Sequence, residues 1–504
     1  MQLSSRFLAL ASSLSLIVTV AASPVQQQQL ERRATSVTFD SRTFTNKGLV
    51  GFGRISGDAK DSYGESIGGI GSAIALESFT KNSDGTYSAS LIVQPDRGHN
   101  TQTQTDFRAR QHKFSLAFDP SQGSNTTENI NSAYVSTVLY RLNPNTFNGD
   151  SNYTTGLDPT AVRAAAGIQP QLPIAPADNH LAVDAEGLAL IPNSDAAWVS
   201  DEYGPYIYYL NRTSGQIKYT IQPPQAITPY LNGALNFTST TEPNSGRNDN
   251  QGLEGLTLDR NTQTLWACLQ SAVAQDGGGN KATNRYTRVL GYNVTNPANA
   301  SLVAEYIVPL PQSSKGNTRA TSEIHVIDST TFLILARDGN GFGDTSSDST
   351  FKDVDLFSTK GATNLANTKY DSSSSPAAPG GTLASGITPV KYTSFVNLIA
   401  KTELAKFGLQ VGGAFDRTLV AAKLESLALA PVGDSSNPND YFLFVVSDND
   451  FITTNGQQAA ESSNGTYVNE AYSDPYAQQY GTADTQVFIW RVTLPGYAQN
   501  PTPN

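Results

Sequence analysis

Apolar residues along this chain fall in short alternating or continuous runs, and Gly, Asn and Asp separate the runs. That is the pattern of strands joined by turns. Helical spacing is scarce. Asp158 to Ala164 predicts one short helix, with Asp158 as N-cap and Pro159 at the first helical position. Phe395 to Phe407 predicts a second.

The runs repeat. Glu186-Gly187-Leu188-Ala189-Leu190 precedes Ala197-Trp198-Val199-Ser200-Asp201-Glu202, and Glu254-Gly255-Leu256-Thr257-Leu258 precedes Leu265-Trp266-Ala267-Cys268-Leu269-Gln270. Glu323-Ile324-His325-Val326-Ile327 and Glu425-Ser426-Leu427-Ala428-Leu429 open two more copies, which end at Arg337-Asp338 and Ser447-Asp448. A weaker copy runs from Gly69 to Asp96. Each begins acidic or Gly-rich, makes two strands around a turn, and ends polar or acidic; third and fourth strands often follow.

Recurring antiparallel units of this kind predict an all-β β-propeller. Repeat starts near residues 69, 186, 254, 323 and 425 make five blades visible. Ser36–Ile55 and Gln486–Leu494 are left over. Pairing them as a closing blade makes six, the expected number, and ties both termini into the ring so that no sheet edge is free. A further blade from residues 100–150 makes seven. Insertions at about 143–180, 222–250 and 370–390 read as loops on one domain spanning 34–504.

Composition narrows the chemistry. Charged residues are only 15% of the 504, and 33 Lys+Arg against 44 Asp+Glu give a net charge of −11. That balance argues against a nucleic-acid partner. A single cysteine, Cys268, excludes an internal disulfide and Cys-cluster metal sites, and four histidines leave little for a multi-His centre. A resident metal should therefore be a hard cation such as calcium on oxygen ligands.

Arg6, the apolar run Phe7–Ala22 and the small residues Val20-Ala21-Ala22-Ser23 read as a signal peptide over 1–22. Residues 23–33 then read as a propeptide ending at the dibasic Arg32-Arg33. Secretion to the cell exterior follows, with no membrane anchor, since no other stretch approaches a span of about 20 apolar residues. N-x-[ST] sequons at Asn125, Asn152, Asn211, Asn236, Asn293, Asn299 and Asn464 are candidate glycan sites.

Propeller geometry gathers the acids of the repeats at one mouth. Glu186, Glu254, Glu323 and Glu425 hold equivalent positions, and are the candidate metal ligands. Asp96, Arg97, Asp201, Glu202, Arg337 and Asp338 adjoin them and are the candidate catalytic set. Carboxylates serve there as base, and Arg97 or Arg337 as clamp for developing negative charge. Ion pairing between these arginines and the neighbouring acids is the plainer alternative. Gly64-Glu65-Ser66-Ile67-Gly68 matches G-x-S-x-G, but a Gly-rich strand follows rather than the helix that the nucleophile turn requires.

Several of these segments together resemble a known family. They are Asp184-Ala185-Glu186-Gly187-Leu188, Trp198-Val199-Ser200-Asp201-Glu202-Tyr203-Gly204, Asn250-Gln251-Gly252-Leu253-Glu254-Gly255-Leu256, Gly68-Gly69-Ile70-Gly71-Ser72, Pro95-Asp96-Arg97-Gly98 and Leu335-Ala336-Arg337-Asp338-Gly339-Asn340-Gly341. The chain resembles the phytase-like domain, also called "esterase-like activity of phytase", over roughly residues 65–455. The resemblance implies a secreted β-propeller with an esterase or phosphoesterase activity whose substrate is not defined. The R-H-G-x-R-x-P motif of histidine acid phosphatases is absent from the sequence.

The leading expectation is a secreted, glycosylated, calcium-binding propeller hydrolase acting on a small-molecule or polymer ester or phosphoester. The rival is a non-catalytic propeller that binds a polysaccharide or protein through its loop face.

Overall fold

In the first two strands of each repeat, one residue too many faces the partner strand. The extra residue is Glu254 where Leu253 pairs Leu269 and Gly255 pairs Cys268, and Glu425 where Leu424 pairs Ser447 and Ser426 pairs Val446. Glu186 and Gly187 bulge in the same way between Ala185 and Leu188. Such a bulge bends the strand and re-aims a side chain.

These pairs start five large sheets in the computed structural model, which describes residues 36–101, 104–122, 128–176, 179–461 and 467–497. The fold is nearly all-β. The first sheet is Ala73–Lys81, Tyr87–Gln94, Arg110–Phe118 and Ile130–Leu139. The second is Ala185–Leu190, Ala196–Asp201, Ile207–Asn211 and Gln216–Ile221, with Arg141–Leu142 added parallel at its edge. The third is Leu253–Asp259, Thr264–Leu269, Tyr286–Asn293 and Ser301–Pro309. The fourth is Ala320–Val326, Thr331–Arg337, Lys352–Ser358 and Lys391–Asn397. The fifth is Lys423–Pro431, Asp440–Asp448, Thr485–Thr493, Arg42–Ile55 and Ser36–Phe39.

The terminal strands do pair with each other, but inside the fifth sheet. Thr485–Thr493 lies between Arg42–Ile55 and Asp440–Asp448, so these strands complete the Glu425 repeat rather than forming a sheet of their own. The Ile130–Leu139 region likewise completes the first sheet.

First strands of successive sheets lie beside one another: first against second, second against third, third against fourth, fourth against fifth, and fifth against first. All five line one narrow cavity of about 80 Å³, walled by residues such as Ile74, Leu188, Leu256, Ile324 and Leu427. Gly187 and Gly255 allow that closeness. A Cβ on Gly187 would sit 2.5 Å from Cβ of Leu256, and one on Gly255 would sit 2.7 Å from the Ile324 nitrogen. The Glu-Gly-Leu pattern is thus a packing device as well as an acidic start.

Five hydrophobic clusters fill the gaps between neighbouring sheets. Trp490 is buried between fourth and fifth, Trp198 between second and third, and Trp266 between third and fourth. Burying each large apolar side chain is worth about 1.5–3 kcal/mol, which makes face-to-face packing the main adhesive.

Two predicted helices are corrected. Asp158 caps no helix: its carboxylate accepts from the Ser239 backbone N–H at 2.7 Å and from Ser239 Oγ at 2.9 Å, tying two insertions together. Its neighbours Ala161–Arg163 form a short strand with Leu172–Ala175 and His180–Leu181. Phe395–Phe407 divides into the end of a strand and the short helix Lys401–Leu404, followed by a 3-10 turn at Ala405–Phe407. The proposed signal peptide, the dibasic site, and the sequons at Asn125 and Asn464 lie outside the described residues.

Candidate functional site

The bulges decide which acids meet. Glu186, Glu254 and Glu425 occupy them, all three are buried, and they feel one another electrostatically. Glu323 is one residue out of phase. In the fourth sheet Thr321 pairs Ala336 and Glu323 pairs Leu335, so Ser322 is the extra residue. A one-residue offset turns a side chain to the other face of the strand. Glu323 Oε1 accepts instead from the Leu256 N–H at 2.9 Å and the Ile324 N–H at 2.8 Å, joining third and fourth sheets. Ser322 Oγ is buried without a hydrogen-bond partner among the described residues.

Two groups of three carboxylates are close enough to share an ion. Asp184, Glu186 and Glu202 form one, with one oxygen of each within 4.8 Å of the others, and Asp96, Asp448 and Asp450 form the second. Asp184 was not among the expected ligands. Its signal was its spacing: it lies two positions before Glu186, on the same side of an extended chain.

The first group is poor in neutralising partners. The Arg97 backbone N–H donates to Asp184 Oδ1 at 3.0 Å, and Arg97 Nη1 stands 3.3 Å from Asp184 Oδ2 while also bonding Asn250. Glu202 Oε1 is buried without a hydrogen-bond partner among the described residues. Burial raises the pKa of Glu202, and Asp184 and Glu254 raise it further against the opposing pull of Arg97. Burial likewise pushes Glu186 well above the ordinary carboxyl range, with Glu254, Asp184, Glu202 and Glu425 adding to the shift. Glu254 is raised by burial and by Glu425, although Gln270 donates to it and Arg337 lies near.

The second group contains its own cation. Lys423 Nζ donates to Asp448 Oδ2 at 3.1 Å and to Asp450 Oδ1 at 2.5 Å. Burial opposes charge on Lys423, but Asp448, Asp450, Glu425 and Asp96 together hold its pKa well above the usual lysine range. Asp96 remains raised by burial, then by Asp448 and Asp184.

The other expected catalytic residues divide sharply. Asp201 is occupied by its own turn: Oδ1 accepts from the N–H groups of Asp184 and Tyr203 at 3.0 and 2.9 Å, and Oδ2 from Gly204 N–H and Tyr208 OH at 3.1 and 2.9 Å. Burial still lifts its pKa to about 7. Asp338 accepts from Ser349 Oγ at 2.8 Å and from the Thr350 and Phe351 N–H groups at 2.7 and 3.0 Å. Burial works to raise its pKa, but Lys352 and these donors bring it below the usual value. Arg337 pairs with Glu425, and its Nε is buried without a partner among the described residues, as is Arg97 Nε. Arg247, fully buried, donates to the carbonyls of Tyr203 and Phe237 at 2.8 and 2.6 Å and so fixes the turn that carries Glu202.

Oxygen donors alone, crowded and under-neutralised, suit a hard cation. Asp184, Glu186 and Glu202 fit one; Asp96, Asp448 and Asp450 already hold an ammonium group.

The family described as Phytase-like, esterase-like activity of phytase, matches residues 66–451. An uncharacterized secreted protein of Arthroderma benhamiae is 36% identical over 471 residues, covering 83% of this chain and 90% of its own length. Among solved structures, the major allergen Mala s 1 of Malassezia sympodialis aligns over 91% of this chain and 90% of its own at 11% identity, with a TM-score of 0.31. The Dos1 propeller aligns over 89% of this chain and 75% of its own at 8% identity, with a TM-score of 0.24. Scores this low carry no argument about fold or chemistry. Among the described residues no helix is long and apolar enough to cross a membrane. With residues 66–451 matched and a relative of similar length at 36% identity, this chain belongs to the phytase-like family.

Proposed function

We propose that this protein is a secreted β-propeller hydrolase of an ester or phosphoester, built as a ring of five blades, with one calcium held by Asp184, Glu186 and Glu202. The ring reading rests on the cyclic order of the five first strands and on the cavity that all five line. Secretion rests on the N-terminal apolar run and on the secreted relative.

One observation carries the functional reading: three buried carboxylates converge within 4.8 Å while one oxygen of Glu202 has no hydrogen-bond partner among the described residues. A calcium ion there supplies Lewis acidity toward a substrate oxygen. Burial and acidic neighbours raise the pKa of Glu202, and one of its oxygens has no partner among the described residues, which suits it to take the ion or to exchange a proton. Arg97, pinned by Asp184 and Asn250, is a fixed cation at the edge of this group and orients negative charge.

A second reading has its own support. Asp201, Asp338 and Glu323 are consumed by turns and by contacts between sheets, as expected if the repeated acids are structural and the propeller is a non-catalytic binding protein. A panel of ester and phosphoester substrates, with calcium and with chelator, separates the two. Hydrolysis that disappears in chelator and in Glu202→Gln supports the hydrolase. No turnover of any substrate, with calcium retained by the protein, supports the binding protein.

A further inference from the structure

A groove of about 400 Å³, lined by none of the carboxylates of the two candidate ion sites, lies between strands of the second and third sheets. Its size falls in the range of small-molecule sites, about 300–1,000 Å³. One wall carries Tyr219 and the Gln222–Gln225 segment, and the other carries Tyr292 and the turn Pro297–Ala300; Asn367 and Asp371 close the end. The lining combines ring faces with amides and hydroxyls.

Two polar atoms among these residues are unsatisfied. Tyr292 is buried and its hydroxyl has no hydrogen-bond partner among the described residues; the same holds for Asp371 Oδ1. The other Asp371 oxygen accepts from the Asn367 N–H at 2.8 Å, and the Asp371 carbonyl accepts from the Ala226 N–H at 2.9 Å, so the walls are tied together. Both atoms are closed off from solvent beside the buried Glu305 carboxyl, so what the groove offers a ligand is its accessible lining of Tyr219 and the surrounding amides.

Asn299 lies on the rim. It is exposed, and Asn299-Ala300-Ser301 is a glycosylation sequon. Its backbone is fixed: the Asn299 N–H donates to the Asn296 carbonyl at 3.0 Å, and the Asn296 side chain caps the same turn through the Ala298 N–H at 3.2 Å. A sugar attached there starts from a defined position.

We propose that this groove seats the first sugars of an N-linked glycan on Asn299, which thereby bridges the second and third sheets. Sugar rings offer an apolar face to Tyr219 and hydroxyls to the amides, which matches the two kinds of surface present. Covalent attachment makes the contact intramolecular, so weak individual contacts suffice. Asn152 is exposed, carries a sequon and does not line the groove, which makes it the internal reference.

The test is glycopeptide mass spectrometry on protein secreted from a eukaryotic host, combined with timed endoglycosidase digestion before and after denaturation. Asn299 is expected to be occupied. Its glycan should be released at least about tenfold more slowly than that on Asn152 in the native protein, and at the same rate after denaturation. Tyr219→Ala, and independently the surface change Gln225→Ala, should each raise native release at Asn299 without altering Asn152. An unoccupied Asn299, equal native release at the two sites, or no response to either substitution would overturn the proposal.

Discussion

Glu202 is a buried carboxyl with one oxygen lacking a partner among the described residues and two acidic neighbours that disfavour its charge. Replacing it by Gln keeps its shape and removes that repulsion. In chelator, therefore, Glu202→Gln should melt at a higher temperature than the parent, while its gain on adding calcium should be smaller; differential scanning fluorimetry reads both. Equal calcium gains in variant and parent would remove Glu202 from the ligand set. Arg97→Ala should act oppositely, because it removes the cation beside buried Asp184 and leaves only the backbone N–H of residue 97 on that carboxylate. Loss of one partner of a buried pair costs about 3–5 kcal/mol. A lowered urea midpoint, partly restored by calcium, is the expected result, since the ion replaces some of the missing positive charge.

At the scale of the strand, the bulge is the functional unit. It carries Glu186, Glu254 and Glu425 inward and leaves Glu323 to bond backbone. Glu323→Gln should thus leave the calcium response unchanged, whereas Glu186→Gln should weaken it. Gly255→Ala places a methyl group against the fourth sheet's backbone and should cost about 1–3 kcal/mol in chemical denaturation, as overpacking does. This offset explains what was legible in the sequence. The E-x-L-x-L starts and their apolar partner strands revealed sheets, repeats and a convergent set of acids. Periodicity does not count a single inserted residue, so Glu323 looked equivalent when Ser322 holds that position. Nor could it show that Asp201 and Asp338 are saturated by turn donors, since those bonds arise only once the chain has returned on itself. Asp158 misled for the same reason: its partners lie some eighty residues away, in Thr238 and Ser239.

For the whole molecule, the acids set a conflict between folding and charge. Asp96, Glu186, Glu202 and Glu254 all have pKa values raised by burial and then by neighbouring carboxylates. A glutamate in the unfolded chain titrates near its ordinary value of 4.5. Above that pH these acids hold more protons folded than unfolded and pull stability down as pH rises, outnumbering His112, His325 and Lys352, whose lowered pKa values act the other way. The decline begins near pH 4.5 and continues until the raised groups have ionised. Lys423 does not reverse it, because its own pKa is raised and it stays charged throughout this window. A cation bound by Asp184, Glu186 and Glu202 favours the ionised forms, brings the raised pKa values of Glu186 and Glu202 down and flattens the slope. In chelator the melting temperature should consequently be higher at pH 5 than at pH 8. Excess calcium should raise the pH 8 value far more than the pH 5 value, because protons compete with the ion for the same oxygens. Thermal melts across pH 4–9, with calcium and with chelator, measure both slopes. Parallel curves would mean that no cation is linked to these carboxylates, and would leave the neighbouring Arg97, Arg337 and Lys423 to hold them in place.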